Sequence, residues 1–206
     1  MFALVDKSDN SITKMLNGNK GITIGDNQYP RAIFTLWTEA ERNAINIYTV
    51  TIDESKRKDE QWYINTNMTY AFDGTNATGS YGDATAKAHA DTTWTQEQID
   101  DGDAPDGADT DTVATRGLKY NLIQTVKLQA EGELNRTDWY ITRKAEKNTA
   151  IPSAITTHRD AVRSKQAAME TAITNASDTP ALETLYTYTE QEDGSVTRPL
   201  GQLPTL

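Results

Sequence analysis

The spacing of apolar residues changes once along this chain, from a period near two before about Tyr81 to one near 3.6 beyond Thr115. A side chain in a strand changes face at every residue, whereas in a helix it returns to the same face every three or four residues. One architecture cannot serve both periods, so the sequence predicts an α+β protein. The expected parts are a small β-rich N-terminal domain of meander and hairpins with one short helix, then a helical hairpin and a short third helix. Their expected limits are 1–98 for the β-rich domain, 99–114 for an acidic Asp/Gly linker or loop, 115–190 for the helical domain and 191–206 for an extended C-terminal arm.

Local signals place the elements. Phe2 to Val5, Ile12 to Leu16 and Gly21 to Gly25 read as short strands, and Asn17-Gly18 and Gly25-Asp26 supply turn chemistry between them. Thr38 followed by Glu41 forms a capping-box pattern and predicts a helix to about Asn43. Ile45 to Ile52 alternates as a half-buried strand does, and Trp62 to Phe72 with Ala77 to Tyr81 reads as a hairpin around Asp73–Asn76. Further on, Leu118, Leu122, Val126, Ala130 and Leu134 recur at steps of four, which predicts a helix of about five turns. Pro152 suits a second helix start, with Ile155, His158, Val162, Met169 and Ile173 on one side. Thr179-Pro180 reads as the cap and first turn of the third helix. The four tryptophans, Trp37, Trp62, Trp94 and Trp139, are expected as core plugs.

Charge and composition exclude several functions. The formal net charge is -10, and a base-stacking surface of aromatic and basic residues is absent, so nucleic acid is not an expected ligand. The charge is uneven: Thr115 to Asn175 holds ten Lys/Arg against six Asp/Glu, leaving about -14 for the rest. No run approaches the roughly 18 apolar residues of a membrane span, and the first residues lack a secretory pattern, so the chain is expected to be made and kept in a cytoplasm. The chain has no cysteine, which removes disulfides and thiolate chemistry. Six aspartates lie between Asp100 and Asp111, but Gly102 and Gly107 miss the register of an EF-hand loop, so no metal is expected.

Catalysis finds few residues to use. His89 and His158 stand outside any catalytic signature, and neither a nucleophile elbow, a P-loop nor a dinucleotide fingerprint occurs. Asp53, Glu54, Asp59 and Glu60 flank Lys56-Arg57-Lys58, a pattern best read as a solvated loop of mixed charge. A carboxylate-dependent glycan hydrolase is the weakest of the functional readings, because no acid pair stands out. No cofactor is expected.

The stretch Leu134-Asn135-Arg136-Thr137-Asp138-Trp139-Tyr140, followed by Ile151-Pro152 and by Thr157-His158-Arg159-Asp160-Ala161-Val162-Arg163, resembles the tail-assembly-chaperone-like and tail-fibre-assembly proteins of tailed bacteriophages. In that family a helix ends in Leu-x-x-Thr-Asp-Trp and a later one carries Tyr-Arg-x-x-Leu-Arg; here His158 and Val162 replace the usual Tyr and Leu. The resemblance covers roughly residues 115 to 175. Asn27-Gln28-Tyr29-Pro30, Leu36-Trp37 and Ile45-Asn46-Ile47-Tyr48 are similar to proteins encoded near tail-fibre genes in marine phages. The resemblance implies a non-enzymatic tail-associated protein of the virion, a structural subunit or an assembly factor, oligomeric in the assembly and bound to other tail or tail-fibre proteins. The alternative is a capsid decoration protein.

Asp138, Trp139, Arg159 and Arg163 are the candidate partner-binding residues. Physically, Thr137 or Asp138 suits the cap of a chain reversal, Trp139 suits a plug over the end of the helix pair, and closure of the hairpin is the favoured role for the set. Arg159 and Arg163, four apart, fall on one face and suit carboxylates of the same chain or of a partner. On this reading Trp139→Ala unfolds the helical domain, and replacing both arginines leaves it folded but weakens partner binding.

Overall fold

A computed structural model describes all 206 residues and divides them into two compact units, Met1–Thr85 and Ala86–Leu206. The α+β expectation holds: strands and hairpins fill the first unit, and long helices dominate the second.

The first unit contains β1 (Phe2–Asp6), β2 (Ser11–Leu16), β3 (Ile22–Ile24), β4 (Asn27–Tyr29), α1 (Ile33–Leu36), α2 (Glu39–Ala44), β5 (Ile47–Asp53), β6 (Tyr63–Ile64), β7 (Thr69–Phe72) and β8 (Ala77–Ser80). Its five-stranded sheet runs β2-β1-β5-β8-β7. The β1–β2, β1–β5 and β7–β8 pairs are antiparallel, whereas β5 and β8 run parallel. Both faces are covered, and the period of two shares the apolar residues between them. Ala3 and Val5 join Tyr48, Val50, Phe72 and Ala77 on one side. Phe2 and Leu4 meet Ile33, Phe34 and Ile47 on the other, where α1 and the β3–β4 hairpin pack. Ring centroids lie 4.5 Å apart for Tyr48–Phe72 and 5.0 Å for Phe2–Phe34.

The capping box forms as expected, with Thr38 Oγ1 accepting from the Glu41 amide and Glu41 accepting from the Thr38 amide. The expected long hairpin arm is corrected. Only Thr69–Phe72 pairs with Ala77–Ser80, while Tyr63–Ile64 forms a separate two-residue ladder with β9 (Thr85–Ala86).

The second unit continues with β10 (Thr92–Thr93), α3 (Gln96–Asp100), β11 (Val113–Thr115), α4 (Leu118–Asn135), α5 (Asp138–Lys147), α6 (Ser153–Asn175), α7 (Thr179–Tyr186), β12 (Thr189–Glu190) and β13 (Val196–Thr197). The acidic stretch does not separate the two units. It lies inside the second one, closed at its base where Thr92 pairs with Thr115 and the Trp94 amide donates to the Thr112 carbonyl. Helices α4 and α6 pack through buried Val126 and Ala130 on one and Val162, Met169 and Ile173 on the other. The hairpin is interrupted by α5, a helix that the periodicity did not mark.

Residue 117 is a glycine for a steric reason. A Cβ there would meet the Ala90 carbonyl carbon and oxygen at 2.3 Å. That approach lets the amides of Leu118 and Lys119, which have no partner inside α4, donate to the carbonyls of Ala88 and His89. The cap of α7 is Asp178 rather than Thr179: its carboxylate accepts from the Ala181 amide, while Thr179 is buried and donates to the Lys87 carbonyl. The C-terminal segment is likewise not a free arm. After the β12–β13 hairpin, Leu200 is buried and its amide donates to the Leu185 carbonyl.

Candidate functional site

Helix α4 ends with carbonyls that have no amide to accept from, and the chain must turn at once into α5. Thr137 begins the repair, donating to the Leu134 carbonyl from both its amide and its hydroxyl. Arg159, reaching over from α6, completes it. Its Nη1 lies 2.8 Å from the Leu134 carbonyl oxygen, 2.7 Å from Thr137 Oγ1 and 2.7 Å from Asp138 Oδ1. The placement is favourable twice over, since a cation suits the carbonyl end of α4 and a carboxylate suits the amide end of α5. The Thr137 side chain therefore makes no N-cap bond to α5; it is spent on Leu134 and Arg159.

Arg159 is buried, with only 9% of its side chain exposed. Arg163, one turn on, is 53% exposed and pairs with its own neighbour Asp160 at 3.3 Å. The two arginines thus each hold a carboxylate of the same chain and do not form one outward grip.

Trp139 corrects the plug expectation. It is 52% exposed, because Arg159 and Thr137 already close the helix end and the next residue of α5 turns outward. Its ring lies 3.8 Å from that of Tyr140, and the Arg143 guanidinium sits 4.7 Å from the Trp139 centroid and 5.3 Å from that of Tyr140. Positions 139 and 143 are one helical turn apart, which permits this stack. The Arg143 Nε is enclosed and makes no hydrogen bond. Ile141 is exposed as well, and Lys144 and Lys147 occupy the last turn of α5. The result is an aromatic platform rimmed by cations on an otherwise acidic protein. Sequence reasoning named Asp138, Trp139, Arg159 and Arg163 but missed Arg143; the four-residue step from Trp139 was the available signal.

The remaining polar clusters have local explanations. Arg57 lies 3.3 Å from both Glu54 and Glu60, so the mixed-charge loop pairs largely with itself. Every Asp or Glu whose pKa is displaced is displaced downward by nearby donors: Asp91 chiefly by the Gly117 amide and then by Arg116, Asp109 by the Thr112 hydroxyl, and Asp193 by that of Ser195. Hydrogen bonds to the ionised form act in that direction. No group of three or more His, Asp or Glu side chains is arranged to hold a metal ion, and no helix is long and apolar enough to cross a membrane. His158 is half-buried on the inner side of α6, with Nε2 enclosed and unbonded.

The most distinctive surface of this two-unit α+β chain is the exposed aromatic and cationic helix α5. No protein-family model, curated protein or solved structure matches the chain.

Proposed function

We propose that this chain is a non-enzymatic protein of a tailed bacteriophage, a structural subunit or assembly factor of the tail and its fibres that acts by binding other tail proteins. The observation that carries the binding role is Trp139: a large indole held outward at 52% exposure, stacked on Arg143, on a helix whose start is fixed by the buried Arg159. Tryptophan and arginine are the residues most enriched at binding hot spots, and a fixed backbone lowers the ordering cost of docking. The phage setting rests on the Thr137-Asp138-Trp139 and Arg159-x-x-x-Arg163 resemblance.

The test is mass spectrometry of purified particles, with heads and tails separated and the infected lysate run beside them. A fixed copy number in the tail fraction supports a subunit, and abundance in the lysate with absence from particles supports an assembly factor. Recovery with the heads would reassign the chain to capsid decoration. Absence from lysate and particles alike would sink the proposal.

A further inference from the structure

Leu16 packs with Ile22 and Phe34 in the apolar cluster that covers one face of the main sheet. Lys14, two residues earlier in β2, shares that face, whereas Met15 between them belongs to the cluster on the other face. Beside the Leu16 cluster opens a cleft of about 640 Å³, within the range of small-molecule sites. Met1, Leu16, Ile22 and Phe34 supply its apolar lining, and Lys14 and Lys20 are its charged lining residues. No acidic residue lines it, and neither lysine forms an ion pair within the chain.

A single lysine on an edge strand often does no more than discourage aggregation. Here two lysines from different elements, one in β2 and one in the loop after it, line one cleft free of acids, in a chain with 30 acidic residues against 20 basic. Two glycines fix its walls. Gly18 has a left-handed φ of +70°, and a Cβ there would meet Phe2 and Phe34 at 3.1–3.2 Å. A Cβ on Gly21 would lie 2.5 Å from the Tyr29 carbonyl oxygen. The main chain thus packs directly on the apolar cluster at one end and on the β3–β4 hairpin at the other, and the cleft is formed before any ligand enters.

We propose that this cleft binds a small amphiphilic anion, an alkyl carboxylate whose chain lies on Leu16, Ile22 and Phe34 and whose charged end is held by Lys14 and Lys20. Both parts are needed. A bare anion gains little from exposed lysines, because water screens the attraction. A neutral hydrocarbon gains from covering the apolar wall but nothing from the cations. Joined in one molecule, the chain supplies most of the affinity and the carboxylate the selectivity. The cleft lies in the first unit and the Trp139 platform in the second, so this site is independent of the binding surface proposed above.

The experiment titrates sodium decanoate, kept below its micelle concentration, into the isotope-labelled full chain and follows the backbone amides by NMR. Expected are saturable shifts gathered at residues 14–23 and 34, with α5 unmoved. Decanol and acetate should each bind about tenfold or more weakly than decanoate. The Lys14→Gln, Lys20→Gln double variant should lose about tenfold in decanoate affinity, and Lys14→Arg with Lys20→Arg should keep it. Both lysines are exposed, and unchanged amide shifts in the rest of the variant check that it stays folded. Absence of saturable shifts, or shifts centred outside the cleft, overturns the proposal. Equal affinity for decanol, for acetate or in the glutamine variant overturns it as well, by removing one of its two parts. Shifts at the same residues that follow protein concentration without ligand would assign the cleft to a second copy, and so overturn the amphiphile.

Discussion

The Nη1 of Arg159 carries two protons and faces three acceptors, so its bonds to Leu134, Thr137 and Asp138 are partly shared. Removing the guanidinium takes a donor from the Leu134 carbonyl and from the Thr137 hydroxyl, which keep only their bond to each other and the Thr137 amide, opens a space at a buried position, and leaves the Asp138 carboxylate without its cation. Arg159→Ala should therefore cost about 2–4 kcal/mol, read as a lower urea midpoint. Trp139→Ala removes an indole that is half in water already, and should change stability by about 1 kcal/mol or less while weakening whatever binding the proposed α5 surface supports, read by pull-down of the variant against the parent. This reverses the roles expected from sequence, in which tryptophan was the plug and arginine the hand. The residue types were legible; their directions were not, because burial of Arg159 depends on carbonyls exposed by a helix end some 25 residues away.

Among the elements, the start of α4 depends on a close backbone contact with residues 88–91. Gly117→Ala places a methyl group into the Ala90 carbonyl and should cost about 1–3 kcal/mol, visible as a lower melting temperature with loss of helical circular dichroism. Asp91 binds the same junction, accepting from the Gly117 amide and pairing with Arg116. Its carboxyl is held below the usual 3.8 in the folded chain, so the stability it adds is fully present above 3.8 and is lost as pH falls through the folded value. The melting-temperature gap between the parent and Asp91→Asn should therefore be widest near about pH 6 and shrink in acid. A constant gap would exclude a titrating contribution. The elements best read from sequence were those with local signals, the Thr38–Glu41 capping box and the Val126–Ala130 stripe. Helix α5 escaped because Thr137-Asp138 reads as the cap of a chain reversal and the amphipathic residues that follow are not buried. Its end charges, Asp138 against Lys144 and Lys147, and the four-residue step from Trp139 to Arg143 marked it.

For the whole molecule, the order of strands before helices gave the α+β class, but the division fell elsewhere. Aspartate and glycine announce a loop equally well whether it joins two units or returns on itself, and the pairing that decides, Thr92 with Thr115, joins polar residues with no pattern to mark it. The parallel β5–β8 pairing was equally silent, since turn signals identify only neighbours in sequence. With a core in each unit, fragments 1–85 and 86–206 should each melt cooperatively, the first with strand-rich and the second with helix-rich circular dichroism; a fragment without a transition would deny its independence. The uneven placement of the tryptophans also gives the intact chain an optical asymmetry. Trp62 is sealed at 3% exposure, whereas the Trp139 indole lies open beside the Arg143 guanidinium. Iodide should gather there and extinguish that part of the emission ahead of caesium, so the protection of one fluorophore reports when the α5 face is covered.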